Sequence, residues 1–436
     1  MIDAAYIHLW GKRVGAIAWD ATTHLGSFEF ETSFLSQNLD LAPLKMPISQ
    51  ARGRVFSFQE LSQSNTFKGL PGLLSDVLPD KYGNTLINAW LAQQGRPTNS
   101  LNPVETLCFI GKRGMGALEF EPAEPQAGAA STKIEMNHLV HIAQEIMLGR
   151  KEFQTNLSAD EQKALAQILK IGTSAGGARA KALIAFNAQT GELRSGQAEA
   201  PKGFTHWLIK FDGVVDTQLS LGDGPLGTSN GYGRVEMAYY KMALASGIDM
   251  MESSLLQEHG RAHFMTKRFD RIPDQGKLHV QSFCGMQHVD FTEINAYSYE
   301  QLFQTMRMLR LSYPEAEQLF RRMVFNVLAR NCDDHTKNFA FTMNQSGEWH
   351  LSPAYDICHA YRPGSPWVSR QSLSVNGQRD QISTQDLLAV AKSMNIKKPA
   401  EIVHEIKTQV SSWEYFAEEQ QVPTPLLKAI QSTLLV

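Results

Sequence analysis

Cysteine is scarce in this chain and nowhere paired. Four occur in 436 residues: Cys108, Cys284, Cys332 and Cys358. Without a C-x-x-C pair, neither a disulfide scaffold nor a zinc site is signalled, and a reducing, cytoplasmic setting is expected. Also missing is any stretch approaching the ~18 consecutive apolar residues that a transmembrane helix needs. The opening MIDAAYIHLWGKRVG carries an acid at Asp3 and no long apolar run behind a basic start, so it does not read as a signal peptide. Charge of one sign is not in excess either. Forty-one Lys and Arg against 44 Asp and Glu leave −3, and charged residues make up only 19% of the chain. That balance speaks against a strongly basic nucleic-acid coat. There is no long charge run and no internal repeat.

What is present is ordinary globular material. Hydrophobic residues are 43% of the chain, enough for a sizeable core and too many for global disorder. The length suggests two or three domains. Residues 4–10 alternate around Ile7 and Leu9, Gly11-Lys12 reads as a turn, and Val14 to Trp19 and 27–34 continue a β-rich opening. Residues 73–94 read as helix with a break near Pro79, and 117–125 as a closing strand. The Ala, Pro, Gly and Ser of 123–133 suggest a linker. Beyond it, 134–170 is helical in pattern and 171–186 is glycine-rich, then apolar. HWLIKF (206–211) is a strand and 212–233 a glycine-rich loop, after which a helix places Val235, Ala238, Tyr239 and Met242 on one face. HFMTKRF (263–269) and LHVQSF (278–283) read as strands around a polar turn. From about 292 the chain reads as mainly helical apart from one hairpin. A β-rich half followed by an α-rich half is an α+β plan.

The most informative stretch is 314–357. Ala316, Leu319, Phe320, Met323, Val324, Val327 and Leu328 form the stripe of an amphipathic helix. It runs straight into NCDDHTKN (331–338), so a polar cluster hangs off the end of a rigid element. NFAFTM (338–343) and EWHL (348–351) then flank Asn344 to Gly347 as a hairpin, and Asp356 follows the second strand. Helix, polar loop, hairpin and aspartate come in the order protein kinases use, with Asp333 and Asn338 at the spacing of a catalytic base and a metal-binding amide. The competing reading is a polar helix terminus in which Asp334 and Asn338 only cap. Upstream, Gly172 to Gly177 precedes an apolar strand. Such a run lets backbone amides approach phosphates, or is a plain turn. Lys210 alternates with apolar residues, so it either meets an anion or snorkels to water. Glu236 begins the following helix, where it either complements the helix dipole, the favoured reading, or pairs with Lys210.

Taken together, GLPGLLSDVLPD (69–80), SAGGARAK (174–181), HWLIKF (206–211), KRFDR (267–271), NCDDHTKN (331–338) and SPAYDI (352–357) resemble the HipA family of toxin kinases. Residues 4–125 resemble that family's N-terminal β-containing subdomain. The resemblance implies a protein-kinase-like two-lobed α+β fold. Its expected parts are an N-terminal subdomain over 1–128, a small lobe with the glycine-rich loop over 129–265, and a mainly helical lobe over 266–436. It further implies Asp333 as catalytic base and Asn338 and Asp356 as Mg²⁺ ligands. The ATP site would comprise Ser174, Ala175, Gly176, Gly177, Lys181, Lys210, Lys267, Phe269 and His335, the last in a structural role rather than as a base. Ser174 would be the autophosphorylated loop serine. Arg179 and Ala180 depart from the family, standing where it carries an uncharged and an acidic residue.

The function so implied is an ATP- and Mg²⁺-dependent serine/threonine protein kinase, the growth-arresting toxin of a toxin–antitoxin pair. By analogy with some members, its substrate would be an aminoacyl-tRNA synthetase, glutamyl-tRNA synthetase in particular. A small helix-turn-helix antitoxin is the expected partner, with operator DNA reached mainly through it and no membrane contact. The alternatives are a kinase-like module that chiefly co-represses with the antitoxin, and a kinase for a small molecule or lipid. Asp333, Asn338 and Asp356 are all present, which disfavours a dead kinase.

Overall fold

The computed structural model describes residues 2–122, 136–147, 168, 179–196, 200–214, 231–272 and 276–436. The first unit is an antiparallel five-stranded sheet in the order β4-β3-β2-β1-β5. Its strands are β1 (Ala4–Leu9), β2 (Lys12–Asp20), β3 (Leu25–Phe30), β4 (Val55–Phe56) and β5 (Leu118–Glu121). Alternation in β1 buries Ala5, Ile7 and Leu9 on one face, in one core cluster with Phe28, Leu107 and Phe120. The β1–β2 turn falls on Trp10-Gly11, both with positive φ, rather than on Gly11-Lys12. A two-residue hairpin loop needs that backbone to match the strand twist, so Lys12 already belongs to β2. Helices α1 (Lys81–Gln93) and α2 (Pro103–Ile110) complete the unit, and Pro79 marks the break before α1.

The second sheet runs β7-β6-β8-β10-β9, with β6 (Lys181–Phe186), β7 (Leu193–Ser195), β8 (Thr205–Lys210), β9 (Ser253–Glu258) and β10 (Arg261–Lys267). Helix α3 (Met136–Met147) and α1 pack on it. Tyr82 and Leu86 of the first unit join Leu139, Ala182, Ile184, Trp207 and Ile209 in one core cluster. Helix α4 (Tyr232–Ala245) follows. The linker 123–133, most of the helical pattern of 134–170, the glycine-rich run with Ser174, Ala175, Gly176 and Gly177, and residues 215–230 lie outside the described residues.

β10 and the 278–283 strand do not pair with each other. Between them is a small hairpin of β11 (Arg271–Ile272) and β12 (Gly276–Lys277), and β13 (His279–Ser282) joins a separate sheet with β14 (Ala340–Met343) and β15 (Trp349–Leu351). Buried Asp270 explains the divergence. It accepts from Arg268 Nε at 2.8 Å, from Arg271 Nη1 at 2.6 Å and from the Gly116 amide at 2.7 Å, which pins this turn to the first unit. Burial works against its charge, but Arg268 and then Arg271 hold its carboxyl well below the usual carboxylate range.

Helices α5 (Phe283–Gln287), α6 (Tyr299–Met308), α7 (Tyr313–Leu328), α8 (Thr384–Met394), α9 (Pro399–Ser411), α10 (Trp413–Glu419) and α11 (Thr424–Gln431) build the last unit. Its core holds Tyr239, Tyr299, Phe320, Phe325 and Trp413. Residues 352–383 are not helical, contrary to the expectation from pattern. Their polar groups serve the loop after α7 instead of a helix ladder. The first unit also docks here. The Gly72 amide donates to His288 Nε2 at 3.0 Å, and Asp76 accepts from the Ser282 amide and hydroxyl at 2.6 and 2.7 Å. A Cβ on Gly72 would fall 2.0 Å from the Gly285 carbonyl oxygen, so this approach requires glycine. No described helix is long and apolar enough to cross a membrane.

Candidate active site

Helix α7 delivers the first part of the site. Ser312 and Glu315 form a capping box at its start, and Glu315 also accepts from the Leu351 amide at 2.8 Å, which ties the helix to the hairpin. At its end Arg330 adopts a left-handed backbone (φ 55°) and Asn331 N–H returns to the Asn326 carbonyl at 2.9 Å. The chain therefore turns sharply into 331–338.

Two adjacent aspartates then part ways. Asp333 is half-exposed, and His335 Nε2 lies 3.8 Å from its Oδ1. Asp334 points inward and accepts from the Tyr299 hydroxyl at 2.7 Å, the Ser372 amide at 2.7 Å and Gln371 Nε2 at 3.0 Å. Asn326 Nδ2 donates to the Tyr299 oxygen at 3.0 Å, and Gln371 Nε2 also reaches the Asn331 carbonyl at 3.1 Å. Asp334 is thus a buried anchor, not a helix cap. Tyr299, Asn326 and Gln371 carried no sequence signal, since each enters only by packing. Asp76 and Asp80 lay within a quoted motif but had no assigned role.

Burial pushes the Asp334 carboxyl up to about 6 from an ordinary 3.8. A raised folded-state value means that ionisation costs stability: the cost is absent below about pH 4, grows as pH rises through 6, and then levels off. We expect Asp334→Asn to flatten this slope. Urea unfolding midpoints between pH 4.5 and 7.5 measure it, with a relative change of about 3 kcal/mol at most. A wild-type slope unchanged in the variant would exclude Asp334 as its source.

His335 caps a short 3-10 turn, Thr336–Asn338, by accepting the Lys337 amide on Nδ1 at 3.2 Å. That bond leaves the ring proton on Nε2, facing Asp333. Asn338 Nδ2 donates to the Asp333 carbonyl at 2.6 Å, which leaves its side-chain oxygen as an acceptor.

The second half converges from three distant segments. Lys210 Nζ, at the end of β8, binds Glu236 Oε1 of α4 and Asp356 Oδ1 after β15. Glu236 is 3% exposed and lies beyond the first turn of α4. It therefore pairs with Lys210, and the helix-dipole reading fails on position. Burial disfavours both charges. Yet Asp356 and Glu236 hold the Lys210 ammonium above its ordinary value, and Lys210 and then Lys181 hold the Asp356 carboxyl below its own. Asp356 also has a left-handed backbone (φ 53°), uncommon away from glycine.

Lys181, at the start of β6, is 2% exposed. Burial lowers its ammonium against the pull of Asp356 and Asp80. Asp80 caps α1 through the Gly83 amide at 3.0 Å and is pushed up to about 6 by burial. Phe269 stacks on Tyr355 at 5.7 Å, next to Asp356. The Lys267 ammonium pairs with Glu252 and lies 5.4 Å from the Trp207 ring centre. Ser174, Ala175, Gly176 and Gly177 lie outside the described residues, so the described part of the candidate site is Lys181, Lys210, Glu236, Lys267, Phe269, Asp333, His335, Asn338 and Asp356.

Known proteins share this architecture. The chain is 27% identical over 135 residues to a Haemophilus influenzae protein named a candidate kinase, covering 28% of this chain and 39% of that one. It is 25% identical over 183 residues to a similarly named Sinorhizobium fredii protein, covering 39% and 42%. The matches thus span about two fifths of these relatives' length. The structure of Shewanella oneidensis HipA, solved with HipB and operator DNA, superposes with a TM-score of 0.66 at 17% identity, covering 99% of this chain and 96% of that one. The fold is accordingly kinase-like. A family model described as the HipA N-terminal domain matches residues 5–121, and one described as the HipA-like C-terminal domain matches 173–413. The chain belongs to the HipA family.

Proposed function

We propose that this chain is an ATP- and Mg²⁺-dependent serine/threonine protein kinase, the toxin of a toxin–antitoxin pair. The observation that most supports this reading is the meeting of Lys210, Glu236 and Asp356, with half-exposed Asp333 on the loop that leaves α7.

The residues present fit a metal–nucleotide complex. Mg²⁺ takes one or two protein oxygens and completes its shell with water and phosphate. Among the described residues, Asn338 keeps its side-chain oxygen open, and Asp356 has committed only Oδ1, to Lys210. When bound, the metal would neutralise phosphate charge as it develops. Lys210, held ionised by two carboxylates, would ground the phosphates. Asp333 would accept the substrate hydroxyl's proton, with His335 Nε2–H orienting the carboxylate and the Asn338 bond fixing the loop.

The finer expectations belong to the same proposal. Glutamyl-tRNA synthetase is the candidate substrate, and Ser174 the autophosphorylated residue. A small helix-turn-helix antitoxin would be the partner, as HipB accompanies HipA in the Shewanella complex. With a net charge of −3, DNA affinity would come mainly from that partner. The same complex favours a second reading, in which co-repression is the main task and phosphoryl transfer is secondary. The test is incubation with Mg²⁺-ATP followed by mass spectrometry. A phosphate is expected on Ser174 of the wild type and on neither Ser174→Ala nor Asp333→Ala. Transfer to a protein substrate with Ser174 unmodified would refute autophosphorylation there. No transfer to any protein would favour the co-repressor reading.

A further inference from the structure

Arg179 is a further cation beside the Lys210, Glu236 and Asp356 cluster. It stands two positions before Lys181 in the run that enters β6. Its Nη1 lies 3.8 Å from Glu236 Oε2, and its guanidinium sits 5.0 Å from the Tyr232 ring centre. The two carboxylates beside it are already engaged, because Lys210 takes the other Glu236 oxygen and also binds Asp356. Arg179 is left with one long ion pair for five N–H donors, and no closer acceptor among the described residues. Its side chain is 44% exposed, while Glu236 is 3% exposed. The group is therefore half-exposed, braced on an aromatic face and beside a buried charge cluster. Both Arg179 and Lys181 lie within electrostatic reach of Glu236 and Asp356.

A half-exposed ion pair of this length is weak, on the order of 0–1 kcal/mol. A planar guanidinium makes short, parallel hydrogen bonds to phosphate oxygens that it does not make to Glu236 here. We propose that Arg179 is a phosphate-contacting residue of the nucleotide site: it exchanges the long Glu236 pair for the polyphosphate of Mg²⁺-ATP and sets how tightly this chain holds that group. Glu236, released from Arg179, remains paired with Lys210, so the exchange leaves no buried carboxylate unpartnered. The inference rests on the nucleotide reading of the cleft and adds a residue to it.

Equilibrium binding of Mg²⁺-ATP and of adenosine to the full-length protein, to Arg179→Gln and to Arg179→Lys tests it. Arg179→Gln should weaken Mg²⁺-ATP by about tenfold or more, the loss of a charge-assisted contact, and leave adenosine unchanged. Arg179→Lys should recover part of the loss. Equal Mg²⁺-ATP affinity in wild type and Arg179→Gln overturns the inference while leaving the nucleotide reading standing. An equal loss for both ligands also overturns it, because the effect would then not act through phosphate. A wild type that binds neither ligand removes the nucleotide reading and the inference with it.

Discussion

Replacing Asp333 by alanine should lower phosphoryl transfer by about 10²–10⁴-fold, the usual worth of a positioned general base. Mg²⁺-ATP binding and thermal stability should stay close to wild type. The geometry separates these effects. Asp333 is 52% exposed and, among the described residues, its carboxylate is within reach of His335 alone, so its removal strands no buried partner there. Its backbone carbonyl, which holds Asn338, is untouched by the substitution. The fixing of the loop falls to Asp334 instead, through Tyr299, Gln371 and Ser372. Single-turnover transfer from labelled ATP, with a parallel binding titration, measures both halves. Transfer at the wild-type rate would remove Asp333 from the mechanism. Lost ATP binding would mean that it serves the nucleotide rather than the incoming hydroxyl.

Lys210→Met should be the most destabilising single change in the cleft. It removes the cation between Glu236 and Asp356 and leaves two carboxylates facing each other. Breaking a buried pair this way costs about 3–5 kcal/mol, and the lower end applies because Asp356 is 29% exposed and Arg179 and Lys181 remain nearby. The pH dependence follows from the sign of the shifts. In the wild type the depressed Asp356 carboxyl contributes stability that is present above its ordinary 3.8 and is lost only as pH falls through the lower folded value. In the variant Asp356 loses the cation that depresses its carboxyl and binds protons more readily, so the penalty is relieved on the way down from neutral pH. The stability gap should therefore narrow between pH 7 and pH 4.5. Urea denaturation at both values checks it, and a gap of constant size would mean that the loss comes from packing of the lysine stem.

Much of the fold follows from local pattern. Alternation marked β1, β3 and β8, the seven-residue stripe marked α7, and the turn residues at 344–347 marked the hairpin that closes on Asp356. These signals are readable because a strand or helix buries one face at a period of 2 or 3.6, whatever it packs against. The boundaries slipped where backbone geometry outranked composition, as at Trp10-Gly11, where the hairpin demanded two positive φ values. The helical expectation for the later chain failed over 352–383 because those residues exchange hydrogen bonds with the loop after α7, a role no periodicity reports.

The candidate site divides in the same way. Asp333, Asn338, Asp356 and Lys210 were legible as residues, since a polar cluster at a helix end and a lysine in an apolar strand are unusual where they stand, whereas Lys181 entered only through the family resemblance. The relations among them were not. Lys210 and Asp356 are 146 positions apart, and only the packing of α4 on β10, the sheet neighbour of β8, together with the course of the 352–357 segment, brings their charges together. The same packing decided that Glu236 is a buried partner rather than a dipole complement, and that Asp334 is an anchor rather than a cap. It also turned Lys267 toward Glu252. Sequence by itself determined which elements form and which side chains are chemically notable, because those depend on near neighbours in the chain. Tertiary structure alone decided which charges meet, because an ion pair in a low-dielectric interior depends on distance in space and on the water that packing has excluded.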